Sequence, residues 1–291
     1  MPKSTYRGDI TLPSEVSAEI LQKTQSASAV MSLARQVTLP GRGLTIPVIT
    51  GDPSAAWVAE TDEKPVSNPS MSTKLLQPYT LAVIVPFSNQ FRRDLAALYD
   101  AIVSRLPGAL AQTFDATVFG KDSDKPGSNF DTLGGAAEAA LDGAGGAYAG
   151  LVAAKTNIAS AGYILNGVVL SPQGEGVLLS ATDGNKRPLF INSPAEGATA
   201  TLLGARTTIS KGAYVAGNPS SKNTVGIAGD WSQAIYGTVE GVQISISDQS
   251  TLKISGEQIN LWQRNMFAVR AEIEVGFRAD VSAFNLLTVT A

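Results

Sequence analysis

Residues 88–120 read SNQFRRDLAALYDAIVSRLPGALAQTFDATVFG, and we expect the rest of the chain to be organised around them. Apolar residues recur along it at every third or fourth position: Phe91, Leu95, Leu98, Ile102, Leu106, Leu110, Phe114 and Val118. This period predicts a helix about 45 Å long with one apolar face. Ser88 suits its N-cap and Gly120 its C-cap. Pro107 predicts a kink near Leu106, or two abutting helices with Pro107 in the first turn of the second.

The composition bounds the size of the core and the character of the surface. The 291 residues are 44% hydrophobic, enough for a real core and two subdomains. Charged residues make up 16%, below the usual quarter. Either the surface is simply rich in Ala, Ser, Thr and Gly, or much of it is covered by other subunits, because interface cores are depleted in charge.

Two absent residue types exclude several classes of site. The chain has no Cys and no His, which removes thiol nucleophiles, disulfides, Cys/His zinc sites and Ser-His-Asp triads. Catalysis by carboxylate, Lys or Tyr side chains would remain possible, but no sequence motif indicates a set of such residues. The sequence therefore predicts no enzyme, no cofactor and no metal site.

The charge pattern and the hydropathy limit the partners. The net charge is −3, and no cluster of Lys and Arg offers the several phosphate contacts that tight, general nucleic-acid binding needs. The N-terminus lacks the apolar region of a signal peptide, and no stretch approaches about eighteen uninterrupted apolar residues. We therefore expect a soluble protein made in a cytoplasm, with no membrane partner.

The residue pattern of the N-terminal part predicts a helix, followed by two strands with a long loop between them. Ser14 suits the cap of a helix that continues through residues 26–33 to Arg35. Residues 44–49 and 79–85 are rich in β-branched residues and bounded by Pro and Gly, as strands are. Residues 50–78 between them form a loop of a length that usually marks function or disorder.

Trp57 lies in this loop, followed by Glu60, Lys64 and Lys74. The loop is mainly polar and offers Trp57 no local core. Two interpretations remain open: Trp57 packs back on its own subunit, or a neighbouring chain buries it, since Trp is favoured at interface centres.

The C-terminal part predicts half-buried strands, because residues 242–247 and 267–275 alternate between apolar and polar. Arg270, Glu272 and Glu274 share one face of the second strand. Their two carboxylates would lie roughly 7 Å apart, a separation that could suit an acid–base pair. The mixed charge favours instead a salt-bridge face that is either solvated or between subunits.

Taken in order, these features resemble the major capsid proteins of tailed bacteriophages with the HK97-type fold. Four stretches carry the resemblance: LPSEVSAEIL and SAVMSLAR at 12–21 and 28–35, AWVAE at 56–60, PFSN to Asp94 at 86–94, and GDWSQAIY with AVRAE at 229–236 and 268–272.

The resemblance implies an α+β fold with a long spine helix, peripheral and axial domains and an extended β-hairpin loop. The implied division is an N-terminal arm and helix at 1–36, strands with the extended loop at 37–87, the peripheral spine helix at 88–131, the axial domain at 132–249 and the peripheral C-terminal strands at 250–291.

The resemblance also implies the function and the partners. Pentamers and hexamers would form an icosahedral shell around double-stranded DNA, bound without sequence specificity, in a virion assembled in the bacterial cytoplasm. Trp57, Glu60, Lys64, Lys74, Arg270, Glu272 and Glu274 would then make contacts between subunits. Some relatives join an extended-loop Lys to a neighbour's Asn, but we expect no such cross-link here.

A separate scaffolding protein is expected to set the particle size, because the segment before Leu12 is too short for a coiled-coil scaffold. A portal protein and decoration proteins are further expected partners. Two other interpretations stay open: an encapsulin-type nanocompartment shell holding cargo protein, and, from another class, a bacterial surface or adhesion protein.

Overall fold

The computed structural model describes residues 14–49, 57–58, 64, 66, 71–89, 95–120, 123, 125–183, 185–190, 201–217, 222–254 and 256–290. Five helices lie in this part of the chain: α1 (Ser14–Ala27), α2 (Ala29–Leu33), α3 (Leu95–Phe119), α4 (Gly146–Ser160) and α5 (Pro172–Leu179). The strands of the N-terminal third are β1 (Arg35–Thr38), β2 (Leu44–Ile49), β3 (Met71–Leu76) and β4 (Tyr79–Ser88).

The remaining described strands follow α3. They are β5 (Ala137–Ala140), β6 (Gly167–Leu170), β7 (Thr201–Leu202), β8 (Ala205–Ile209), β9 (Asn223–Gly229), β10 (Ala234–Thr238), β11 (Gln243–Ser247), β12 (Thr251–Ile254), β13 (Glu257–Asn260), β14 (Met266–Ala279) and β15 (Phe284–Val289). The structure also describes three short 3-10 turns, at Lys211–Ala213, Trp231–Gln233 and Val281–Ala283.

The long helix α3 confirms the helical prediction for residues 95–119. It runs through Pro107 as one helix, so the alternative prediction of two abutting helices was wrong. Its apolar face packs as predicted, since Leu106, Leu110, Phe114 and Val118 are all buried. The predicted N-cap was wrong, because Ser88 is the last residue of β4 and pairs with Met266 of β14.

The predicted helix from Ser14 to Arg35 is divided at Ser28. Ser28 has an extended backbone, and its hydroxyl oxygen accepts the backbone N–H of Met31, so it caps α2. Arg35 then begins β1 instead of ending a helix. The sequence pattern is helical on both sides of Ser28, and the break is explained below by a contact with α3.

The five-stranded sheet is built around β14. Strand β4 pairs with one edge of β14 over ten antiparallel residue pairs, from Met266↔Ser88 to Val275↔Tyr79. Strands β11 and β10 pair antiparallel with the other edge, and β1 adds to β10 in parallel. Because β14 has partners on both edges, it holds this sheet together.

The six-stranded sheet has the order β5-β15-β9-β6-β8-β7. Strand β15 pairs in parallel with β5 and antiparallel with β9, which places this C-terminal strand inside the sheet. Helix α4 packs on it, with Leu151, Ala154 and Ile158 buried in the same cluster as Val168 and Leu287. Two isolated hairpins, β2–β3 and β12–β13, complete the described strands.

The β2–β3 hairpin changes one prediction made from the residues alone. Residues 50–78 were expected to be a loop, but Met71–Leu76 pairs with β2 from Ile49↔Met71 to Leu44↔Leu76. The extended hairpin implied by the resemblance is therefore present. Between β2 and β3 the structure describes only residues 57–58, 64 and 66.

Candidate assembly surfaces

Two apolar side chains in the segment between β2 and β3 are exposed to solvent. Trp57 is fully exposed, with a relative accessibility of 106%, and Val66 is exposed to 86%. Lys64 is exposed as well, whereas Glu60 lies outside the described residues. Trp57 therefore has no burial within its own chain.

The base of the hairpin is tied to the end of β14 by charged side chains. The Arg278 guanidinium donates through Nη1 to Asp131 Oδ1 at 2.7 Å, through Nη2 to Asn129 Oδ1 at 2.8 Å and through Nε to the Leu75 carbonyl at 2.9 Å. Lys74 Nζ donates to the Ala279 carbonyl at 3.3 Å and lies 3.7 Å from Asp131 Oδ2. The Lys74 ammonium thus points into its own chain.

The polar face of β14 carries the predicted charged residues. Arg270 Nε lies 3.2 Å from Glu272 Oε1 and donates to Ser245 Oγ on β11 at the same distance. Glu274 is exposed farther along the strand. The structure therefore brings Arg270 and Glu272 together within one chain.

A cavity of about 320 Å³ lies beside this face, lined by Thr80, Val239, Glu240, Gly241, Gln243, Glu272 and Glu274. Three of its lining side chains are carboxylates, and one of them, Glu272, contacts Arg270.

The Asp115 junction is a cluster that sequence reasoning missed. Asp115 lies on α3 and is fully buried. Its carboxylate accepts the Ser28 hydroxyl at 2.5 Å, the Ser210 hydroxyl at 2.7 Å and the backbone N–H groups of Ala29 at 2.9 Å and Val30 at 3.3 Å. One side chain therefore joins three distant parts of the sequence.

This junction explains why the N-terminal helix breaks at Ser28. The Asp115 carboxylate binds the free backbone N–H groups at the start of α2, which a continuous helix would have bonded internally. Burial raises the pKa of the Asp115 carboxyl above its ordinary value, and the four hydrogen bonds oppose that rise. Only the spatial proximity of α2 and α3 reveals the site, so no local sequence pattern marks it.

The 3-10 turn at Lys211–Ala213 also lies close against α3. A Cβ on Gly212 would lie 2.8 Å from Asp115 Cβ and 2.9 Å from the backbone nitrogen of Ala116. Glycine is therefore needed at position 212 for Ser210 to reach Asp115.

Among the residues that the structure describes, no group of three or more carboxylates could hold a metal ion. No helix in the described ranges is both long enough and apolar enough to cross a membrane.

Comparison with known proteins places the chain in a family. Residues 8–289 match the family model described as "Phage capsid family". The chain is 30% identical over 285 residues to the "Probable major capsid protein gp17" of Mycobacterium phage D29, covering 95% of this chain and 89% of that protein. It is 31% identical over 308 residues to the protein of the same name in Mycobacterium phage L5, covering 99% and 93%.

Solved structures show the same fold. The chain from Microbacterium phage Oxtober96 superposes with a TM-score of 0.70 at 19% identity, covering 99% of this chain and 95% of that chain. The chain from Gordonia phage Cozz also gives 0.70, at 21% identity, covering 91% and 87%. The capsid of a native GTA particle gives 0.64 at 17% identity, covering 100% and 95%.

These similarities favour a phage capsid protein over the encapsulin-type shell and the surface protein. The architecture agrees, since a long helix, two sheets and an extended hairpin form the described chain. The chain belongs to the phage capsid family, the structural shell proteins of tailed bacteriophages.

Proposed function

We propose that copies of this chain associate as pentamers and hexamers into an icosahedral shell that encloses double-stranded DNA. The full exposure of Trp57 on the β2–β3 hairpin carries this proposal. Burying a large apolar side chain contributes roughly 1.5–3 kcal/mol, and Trp is enriched at the centres of interfaces. A neighbouring copy is the partner that a shell protein always has beside it.

The proposed peripheral domain contains α3 and the sheet around β14, and the proposed axial domain is the insertion at 132–249. The strand pairings cross these sequence bounds in two places. Strands β10 and β11, late in that insertion, pair with β14. Strand β15, from the C-terminal segment, pairs with β5 and β9.

The proposed contacts between subunits involve Trp57, Glu60, Lys64, Arg270, Glu272 and Glu274. We include Lys74 as a support of the hairpin base, because its ammonium is engaged by Asp131 and Ala279 of its own chain. That engagement also supports the absence of a covalent cross-link through Lys74.

The proposed partners beyond the chain itself are a scaffolding protein, a portal and decoration proteins. One subunit must occupy both five-fold and six-fold surroundings, so its own contacts need not fix the curvature of the shell. The net charge of −3 supports enclosure of DNA without tight or sequence-specific binding. Assembly takes place in the cytoplasm of the bacterial host, and the chain acts as a structural protein with no catalytic role.

The experiment removes the exposed indole. Trp57→Ala should leave the circular dichroism and the unfolding midpoint of the unassembled subunit unchanged, and should reduce shell formation at least tenfold by sedimentation and electron microscopy. Val66→Ala on the same hairpin is the matched control and should assemble far better. A comparable loss of stability in the unassembled Trp57→Ala subunit would place the indole in its own core. Wild-type protein that forms no particles at all would refute the proposed function.

A further inference from the structure

A second apolar cavity opens between α3, the start of β4 and residues 125–130, with a volume of about 100 Å³. Its buried lining is formed by Phe114, Phe130 and Val275. Its more exposed lining consists of Tyr79, Thr80, Leu81, Thr117 and Pro126. We refer to this cavity as the aromatic pocket.

The aromatic pocket is held in shape by contacts within the chain. The Tyr79 and Phe130 rings meet edge to face with centroids 6.2 Å apart, and Phe114 meets Phe130 in the same way at 6.3 Å. The Tyr79 hydroxyl accepts the backbone N–H of Asn129 at 3.1 Å. A Cβ on Gly127 would lie 2.5 Å from that hydroxyl, so the turn packs directly on the Tyr79 ring. A pocket ordered in advance adds little entropic cost to binding.

Its size and chemistry suit the edge of an indole. A cavity of about 150 Å³ is enough to bind benzene. The aromatic pocket is somewhat smaller but open on one side, so it can receive the six-membered ring while the pyrrole ring stays at the mouth. The Thr117 hydroxyl donates to the Thr113 carbonyl at 2.9 Å, which leaves its oxygen lone pairs available to accept an indole N–H.

Trp57 is the matching group, and it does not fill the pocket of its own chain because its entire side chain is exposed. We propose that Trp57 of one copy inserts into the aromatic pocket of the next copy. This inference rests on the proposed function, since it names the surface that receives Trp57.

The contact joins two different patches of one chain, so it is heterologous. A heterologous contact passes from each copy to the next and closes into a ring when the rotation between copies allows it. The indole and its pocket would therefore set the direction of each ring, because every copy donates Trp57 to one neighbour and receives Trp57 from the other.

Cysteine pairing tests this inference without background, because the chain has no Cys of its own. Val58→Cys, next to the retained indole, with Thr117→Cys is expected to give a ladder of linked chains on a non-reducing gel when assembled particles are oxidised. A disulfide needs Cα atoms within about 7 Å, so a short bis-maleimide is applied in parallel. Val58→Cys with Thr156→Cys is the matched control, since the Thr156 hydroxyl likewise donates to the carbonyl four residues earlier, at an exposed position of α4.

A second variant tests the pocket while keeping the indole. Thr117→Phe fills the cavity from its exposed side and leaves Phe114 and Phe130 in place. It should reduce assembly at least tenfold while the unassembled subunit keeps its circular dichroism, and Thr156→Phe should assemble normally.

The outcomes separate this inference from the proposed function. Particles of the 58/117 pair that give no ladder with either chemistry would overturn the pocket assignment and leave the shell function standing. A link confined within single chains would overturn it as well, as would normal assembly of Thr117→Phe. Wild-type protein without particles would instead contradict the proposed function itself.

Discussion

The Asp115 junction and the Arg270–Glu272 pair show two opposite uses of charge in one molecule. Asp115 is fully buried, and its two oxygens accept four hydrogen bonds from α2 and from residue 210. Arg270 and Glu272 lie two residues apart on β14, with side-chain accessibilities of 50% and 27%. The Asp115 carboxylate joins separate segments of the chain. Arg270 and Glu272 instead lie on the surface of a strand that backbone pairing already holds in its sheet.

Burial, not the number of charges, decides how much a polar cluster contributes to the stability of the fold. A buried donor left without a partner costs about 1–3 kcal/mol, because water cannot replace the lost acceptor. An exposed ion pair contributes about 0–1 kcal/mol, since water solvates both partners when it breaks. The Arg278–Asp131 contact lies between these limits, with side-chain accessibilities of 11% and 21%.

The largest effect is expected from Asp115→Ala. The change leaves the N–H groups of Ala29 and Val30 and two serine hydroxyls without their acceptor, so unfolding should cost about 3 kcal/mol less. Urea denaturation of the unassembled subunit measures the difference. Asp183→Ala is the control, because the Asp183 carboxylate also accepts two backbone N–H groups but in an exposed turn. Equal losses of stability in the two variants would contradict the role given to burial.

An intermediate effect is expected from Arg278→Lys. A lysine can replace only one of the three hydrogen bonds that hold Asp131, Asn129 and Leu75, so the loss should be about 1–2 kcal/mol. The unfolding midpoint of the subunit reports it, and protease cleavage within the hairpin should speed up as its base loosens. Arg270→Lys serves as the control on the same strand. Equal losses for the two arginines would show that partial burial does not matter here.

The smallest effect is expected from Glu272→Gln. Removing the charge that faces Arg270 should change the free energy of unfolding of the unassembled subunit by less than about 0.5 kcal/mol. The change should disappear in about 1 M salt, where exposed charges are screened within roughly 3 Å. Denaturation at two salt concentrations, with Glu274→Gln alongside, checks this. A loss above about 2 kcal/mol would mean that this face is not a surface feature of the single chain.

The sequence predicted the elements whose pattern is local. The three-and-four spacing from Leu106 to Val118 marks the buried face of α3, and the alternation from Phe267 to Val275 marks β14. Each of these features depends on residues close together in the chain, so a single sequence can reveal it.

Features that depend on distant partners were missed. The helical pattern continues across Ser28, but Asp115, 87 residues later, binds there and breaks the helix. Met71–Leu76 has no obvious strand pattern. It forms β3 because its backbone pairs antiparallel with β2. Ser88 suits a helix cap by residue type, yet β14 extends β4 through it. In each case a tertiary contact outweighs the local preference.

The position of β14 and β15 late in the sequence has a consequence for synthesis. Strand β4 ends at Ser88, and its partner in β14 begins at Met266, about 180 residues later. At roughly 5–20 residues per second, the ribosome needs on the order of 10–40 s to make that partner. The inner strand β15 of the other sheet is made later still. Both sheets therefore close only after translation is nearly complete, so a prematurely terminated chain lacks the strands that hold the subunit together.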